Sequence, residues 1–520
     1  MAVIKKRFAA VDGRVVHYRV AGAGLPVLLL HESPRSSRSL LPLLEALGDE
    51  FRVIAPDTPG YGSSTRLRDL FPELAEFSAA LAGFLDAIGI QRCVLYGSHT
   101  GGSIAADFAE RYPTRVAGLI LDGFAIFTDT EKQDMVDSYL PPFEPRWDGA
   151  HITGLWSRVR DLFTYFPYHR RDPAHRITTE TFSLDACYRT VLGFIEAGDH
   201  YRGGYRASIT HDAQRSLLSL TVPATVVCRD GDLLRHHLER IPVQANCAKI
   251  AVPDGGDWVG TIRELVLRYG AGLPKATGVH ADPWREGYLD LGDRQLRLRR
   301  FGTPGACPVL YLHDLPGCGA DAQRLSESLG KDFLVVAPDL PSCADSDGLG
   351  DHGAGLEQLA GALLAVLDET ADGPTTIVSQ GAAVRVGALL HGHDRQRCPT
   401  HVANELGTNY LAVPPDSVRT LVPDSAPRLG GGHLIDAWFQ LRDGFYYAPW
   451  YERGHAARRT RDPLDKLELL QSKFTAWLKG PEIEQLARLI VALPPPRRAP
   501  DLVRADADDD ELAQAIKSLR

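Results

Sequence analysis

Between residues 96 and 102 the chain reads Tyr-Gly-Ser-His-Thr-Gly-Gly, which sets the imidazole of His99 between Gly97 and Gly101. An imidazole titrates near ~6.5 and exchanges a proton close to neutrality. A carboxylate on one of its nitrogens would fix the tautomer and stabilise the imidazolium. Such a dyad could activate water, or take a proton from carbon, without a covalent acyl intermediate. The other reactive residue types are scattered. Eight cysteines (Cys93, Cys187, Cys228, Cys247, Cys307, Cys318, Cys343, Cys398) include no C-x-x-C pair, a pattern that suits reduced thiols in a cytoplasm. The adjacent His236 and His237 have no metal-ligand spacing with nearby acids, so neither a metal nor another cofactor is expected.

Short apolar runs must carry these residues. PVLLL (26–30), FRVIA (51–55), RCVLY (92–96), VAGLIL (116–121), PATVV (223–227) and AKIAV (248–252) alternate with amphipathic stretches such as LAEFSAALAGFLDAIG. Fully apolar strands with helical connections predict a parallel sheet covered on both faces. Residues 123–222 break that alternation and read as an inserted helical cap.

The order of H-x-x-P at His31–Pro34, D-T-P-G-Y-G-S at Asp57–Ser63 and G-x-x-x-G-G at Gly97–Gly102 resembles the α/β-hydrolase fold. That family joins strand to helix through a strained G-x-nucleophile-x-G elbow that needs small residues two positions either side of its apex. The resemblance therefore puts His99 at the apex, flanked by Gly97 and Gly101. Ser98 at the apex would be flanked by Tyr96 and Thr100, which crowd the turn. Where the family carries its base histidine, this chain has Pro253-Asp254-Gly255-Gly256-Asp257-Trp258. The resemblance implies an acid within Asp230-Gly231-Asp232, with Asp232 the better fit, so Asp257, Asp232 and Asp230 are all candidate partners of His99. Glu32 follows His31 at the oxyanion loop, and a carboxylate there opposes stabilisation of an anionic intermediate. Ser98 and Thr100 complete the expected pocket floor, and His31 is expected to prop its loop. Ordinary Ser-His-Asp acyl transfer is thus not the expected chemistry.

A repeat runs through the chain. PVLLLHESP (26–34) matches PVLYLHDLP (308–316), and His31, Asp57 and Pro59 match His313, Asp339 and Pro341, each 282 residues on. The pattern P-R-x2-G-x-H-x4-W-x3-R-D-x5-P also occurs twice. It first takes Pro145, Arg146, Gly149, His151, Trp156, Arg160, Asp161 and Pro167, then Pro427, Arg428, Gly431, His433, Trp438, Arg442, Asp443 and Pro449. His151, Trp156 and Arg160 are candidate substrate contacts, or else packing residues of the cap. In the second copy Gly381 falls at the apex of Ser379-Gln380-Gly381-Ala382-Ala383, where no side chain can act. The expected architecture is an α/β-hydrolase fold with a helical cap (1–275), then a degenerate, truncated copy lacking its last strands (283–495). A Gly/Pro-rich linker lies near 270–285, and an acidic, helical tail (496–520) follows. Each cap packing on the other half would make the chain an internal pseudo-dimer.

A net charge of −9 without a dense basic stripe argues against a nucleic-acid partner. No apolar run reaches the ~20 residues that span a bilayer, and no signal peptide is visible. A cytoplasmic protein is expected, and its Ala/Arg-rich, Met-poor composition suits a bacterium. The expected function is serine-independent hydrolysis or acid–base chemistry on a small organic molecule. The alternatives are a lyase or isomerase on the same scaffold, or a pseudoenzyme that binds a ligand or protein.

Overall fold

The computed structural model describes residues 2–177, 183–243, 246–276, 282–348, 356–370, 373–404, 434–435, 437–439, 441–442, 463–480, 486, 490, 502–505 and 509–519. It divides into two compact units, residues 1–144 with 151–283, and residues 145–150 with 284–520.

In the first unit β1 (Lys5–Val11) and β2 (Arg14–Ala21) form an antiparallel hairpin. Asp12 and Gly13 turn it with φ of +50° and +75°, the left-handed pair that a two-residue hairpin loop requires. The remaining strands, β3 (Pro26–Leu30), β4 (Arg52–Pro56), β5 (Cys93–Ser98), β6 (Val116–Asp122), β7 (Ala224–Arg229) and β8 (Cys247–Val252), run parallel to one another. These six are the apolar runs of the sequence. The order is β1-β2-β4-β3-β5-β6-β7-β8. Alternate residues of each strand serve opposite faces. Leu28, Leu95 and Leu119 pack beneath α2 (Leu74–Ala87) and α3 (Thr100–Arg111) through Phe84 and Phe108. Val27, Val53 and Ile120 pack beneath a helix before β4 (Leu41–Leu47) and α9 (Trp258–Gly270) through Leu44 and Val266. Among the described residues five α-helices lie between β6 and β7 and form the insertion: α4 (Asp129–Ser138), α5 (Ala150–Leu162), α6 (Leu184–Ala197), α7 (Tyr201–Thr210) and α8 (Ala213–Ser219). Thr128 and Glu131 close a reciprocal capping box that starts α4. This unit has the α/β-hydrolase fold.

The second unit contains β9 (Glu286–Leu291), β10 (Arg294–Gly302), β11 (Cys307–Leu312), β12 (Phe333–Pro338), β13 (Thr376–Gln380), β14 (Thr400–Asn404) and β15 (Leu502–Ala505). Read from β9, their order is β9-β10-β12-β11-β13-β14-β15, that of the first sheet without an eighth strand among the described residues. Loop bonds recur as well. Asp57 Oδ1 accepts from Ser37 N–H at 2.8 Å, and Asp339 Oδ1 from Gly319 N–H at 2.7 Å. Among the described residues the second sheet has seven strands. The tail is part of this unit too: Leu502–Ala505 pairs with β14, and the helix Asp509–Ser518 buries Leu512, Ala513 and Ile516 against Val309, Tyr311 and Leu325. Its first-turn Asp509, Asp510 and Glu511 suit the positive end of a helix. Pro145–Ala150 also groups here, where Trp438 Nε1 donates to the Trp147 carbonyl at 3.2 Å. Pro427, Arg428, Gly431, His433, Asp443 and Pro449 of the repeated cap pattern lie outside the described residues.

Candidate functional site

β5 ends at Ser98 and α3 begins at Thr100, so the turn between them falls on His99, at φ +47° and ψ −110°. The glycines on either side are sterically required. A Cβ at Gly97 would lie 2.4 Å from the Gly101 carbonyl oxygen, and one at Gly101 would lie 2.4 Å from that of Leu30. The tight turn pushes the imidazole out of the sheet, into a cavity of about 490 Å³ between the strand ends and the inserted helices. Glu32, Arg35, Ser98, His99, Thr100, Arg229, Asp232 and Asp254 make its polar floor. Phe127, Tyr139, Phe163 and Phe166 are among its apolar walls.

Asp232, in the turn after β7, accepts from His99 Nε2 at 3.0 Å, and its carboxylate is 4% exposed while the imidazole is 32% exposed. Burial opposes the imidazole's charge. Asp232's charge and hydrogen bond outweigh it, helped by Asp122 and Glu32, and raise the pKa to about 9. Burial likewise pushes Asp232 up, but the His99 charge and hydrogen bond bring it down to about 2. The pair is therefore an imidazolium carboxylate at neutral pH. Nδ1, the ring atom not committed to Asp232, is a donor whenever the ring is protonated.

The other candidate acids are engaged elsewhere. Asp257 is the N-cap of α9 and accepts from Gly260 N–H at 2.7 Å. Asp230 is paired with Arg235 at 2.9 Å. Both are exposed, and neither lines the cavity. His31 Nδ1 donates to the Glu32 carbonyl at 2.9 Å, and its Nε2 accepts from Thr58 N–H at 2.9 Å. Both nitrogens thus brace loops. Glu32 stays in the cavity, held by Ser39 Oγ at 3.0 Å and Arg35 at 3.3 Å. The cap candidates fall outside the cavity lining: Trp156 is buried in the α5 packing, His151 lies edge-on to Phe143, and Arg160 is exposed. α5 turns Leu162 and the following Phe163 to the cavity instead.

In a serine hydrolase of this fold the oxyanion hole uses the amide after the nucleophile and one from the loop after β3. Here the loop amide, Ser33 N–H, donates to Thr100 Oγ1 at 2.6 Å. Tyr205 Oη fixes the same loop through the Ser33 carbonyl at 2.7 Å. One of the two anion donors is therefore already consumed.

Three residues escaped the sequence reading. Asp122 closes β6, Gly123 follows it, and Arg229 closes β7 with its guanidinium 4.9 Å from the Trp258 ring. A polar residue ending a fully apolar strand run was the available signal for Asp122. In the second unit Gly381 follows β13 with φ +53°, and a Cβ there would lie 2.1 Å from Asp314 Oδ1. Asp314 accepts from Ala382 N–H at 2.9 Å, so a carboxylate fills the space an apex side chain would need.

Among the described residues no cluster of His, Cys, Asp and Glu is suited to a metal ion, and no helix is long and apolar enough to cross a membrane. Residues 26–180 match the family described as alpha/beta hydrolase fold. The chain is 32% identical over 165 residues to 2-hydroxy-6-oxo-2,4-heptadienoate hydrolase of Pseudomonas putida, covering 31% of this chain and 56% of that protein. It is 34% identical over 114 residues to haloalkane dehalogenase 2 of Mycobacterium bovis, covering 22% and 40%. It thus spans about half the length of these curated relatives, one named a hydrolase and the other a dehalogenase. Epoxide hydrolase A of Mycobacterium thermoresistibile, a solved structure, aligns with 52% of this chain and 98% of its own at 19% identity and a TM-score of 0.41.

Proposed function

We propose that the first unit acts on a small organic molecule through the His99–Asp232 pair, by acid–base chemistry that uses no serine nucleophile. The observation that carries this reading is the imidazole at the elbow apex, seated 3.0 Å from Asp232 and facing a 490 Å³ cavity. At neutral pH His99 gives a proton to, or stabilises negative charge on, a substrate oxygen, and Asp232 keeps the ring oriented. As pH rises through about 9 the ring becomes a base able to activate water. Hydrolysis and non-hydrolytic proton transfer share this machinery. The Thr100 hydroxyl on Ser33 N–H removes a donor from a tetrahedral oxyanion, which favours lyase or isomerase chemistry as the second reading.

The duplicated sequence, the matching strand order and the recurring Asp57 and Asp339 bonds support reading the second unit as a degenerate copy. Its elbow is sealed by Asp314, so it serves as scaffold. Turnover of a panel of small esters, lactones and ketones tests the reading. His99→Gln should abolish activity that Ser98→Ala leaves within a few-fold. Activity that survives His99→Gln and falls with Ser98→Ala would sink it, and a panel with no turnover would favour a ligand-binding pseudoenzyme.

A further inference from the structure

We propose that Asp122, held by Tyr96, is a positioning residue of this site that keeps the His99 ring seated on Asp232. The inference rests on His99 being the acid–base centre. Asp122 lies opposite Ser98 in the β5–β6 register, and its carbonyl accepts from His99 N–H at 2.9 Å, so the end of β6 and the apex are tied through backbone. Its side chain is 1% exposed. Tyr96 Oη donates to Oδ2 at 2.7 Å, and Oδ1 has no hydrogen-bond partner among the described residues.

A buried carboxylate with an empty acceptor is costly unless a cation lies close, and Arg229 supplies most of that charge with the imidazolium adding to it. The next residue makes the room. Gly123, at φ +60°, would put a Cβ 2.4 Å from His99 Nε2 and 3.0 Å from Asp232 Oδ2. The end of β6 thus frames both members of the pair. The charges acting on the ring are those of Asp232 after β7, Asp122 on β6 and Glu32 after β3, and Arg229 at the end of β7 acts on the two aspartates. Arg35 and Asp254 line the same cavity. The two aspartates divide the work. Asp232 carries the hydrogen bond and is held low, whereas burial pushes Asp122 up, against the pull of Arg229 and Tyr96.

The test is an NMR titration of the His99 imidazole in the full chain. In the unsubstituted protein the midpoint should lie well above ~6.5. Asp122→Asn keeps the shape and should lower the midpoint by roughly one unit, a tenfold loss in proton affinity, with the amide spectrum otherwise retained. Tyr96→Phe, which removes only the phenol's hydrogen bond, should move it the same way by less, and stands in if Asp122→Asn fails to fold. Asp232→Asn should lower it further than either. Midpoints unchanged in Asp122→Asn and Tyr96→Phe would overturn the role of Asp122 alone. A His99 that already titrates near ~6.5 in the unsubstituted protein would instead overturn the electrostatic basis of the acid–base reading.

Discussion

Left-handed backbone angles such as those of His99, φ +47° and ψ −110°, cost a non-glycine residue about 1–3 kcal/mol, and the fold must supply that from its surroundings. What the strain achieves is a ring carried off the strand end onto Asp232 with Nδ1 uncommitted. Replacing Asp232 by Asn should release that ring and lower turnover about 10²–10⁴-fold, the usual range for a positioned acid or base. The pH profile should separate the roles. An acid role loses rate as pH rises through about 9, whereas a base role gains it there. Gly123 is a sharper probe, because it never touches substrate in this reading. Gly123→Ala would place a methyl 2.4 Å from the imidazole, so it should cut turnover at least tenfold while the protein still folds, and a crystal structure should show the ring displaced. Full activity in Gly123→Ala would mean the pair works in another arrangement. Part of this site was legible. The two glycines around His99 make one apex sterically sensible, and the register follows from that alone. The choice among Asp230, Asp232 and Asp257 was not legible, because it depends on which loop folds back over the elbow and which acids its own turns consume.

At the scale of elements, the six parallel strands were readable because burial on both faces leaves continuous apolar runs. The β1–β2 hairpin was missed although Asp12-Gly13 between alternating segments advertised it. The tail strand was not legible for a related reason. A short edge strand such as Leu502–Ala505 has too few residues to show a period, and only its pairing with β14 declares it. The second elbow makes an element-level prediction. Gly381 carries a positive φ and lies where a Cβ would strike Asp314 Oδ1. Gly381→Ala should therefore destabilise the second unit by about 1–3 kcal/mol from strain and overpacking. Thermal melting checks this. An unchanged melting temperature would mean that Asp314 is free to swing away, and the sealed elbow would lose its meaning.

For the whole molecule, buried histidines of opposite tendency contribute to the pH dependence of stability. In the first unit burial, with the neighbouring His236 and Arg240, brings His237 down to about 4, and its Nδ1 accepts from Ile126 N–H at 2.9 Å. In the second unit burial, with the neighbouring His391, brings His401 down to about 4, and its Nε2 lies 2.5 Å from Ser379 Oγ. Both are neutral when folded but take up a proton near 6.5 when unfolded. The stability they contribute is complete above 6.5 and is lost as pH falls toward 4. His99 has the reverse sign. Its folded value of about 9 exceeds the ordinary 6.5, so its contribution is complete below 6.5 and is lost as pH rises through 9. Melting temperature measured from pH 4 to 10 should therefore fall at both ends, and the two limbs have separable origins. Residue 381 of the second unit is a glycine and has no side chain to titrate. His99→Gln should flatten the fall between pH 6.5 and 9 and leave the acid limb in place, whereas His401→Gln should soften the acid limb alone. An alkaline limb that survives His99→Gln undiminished would place the raised proton elsewhere, and the His99–Asp232 pair would no longer account for the charge in the cavity.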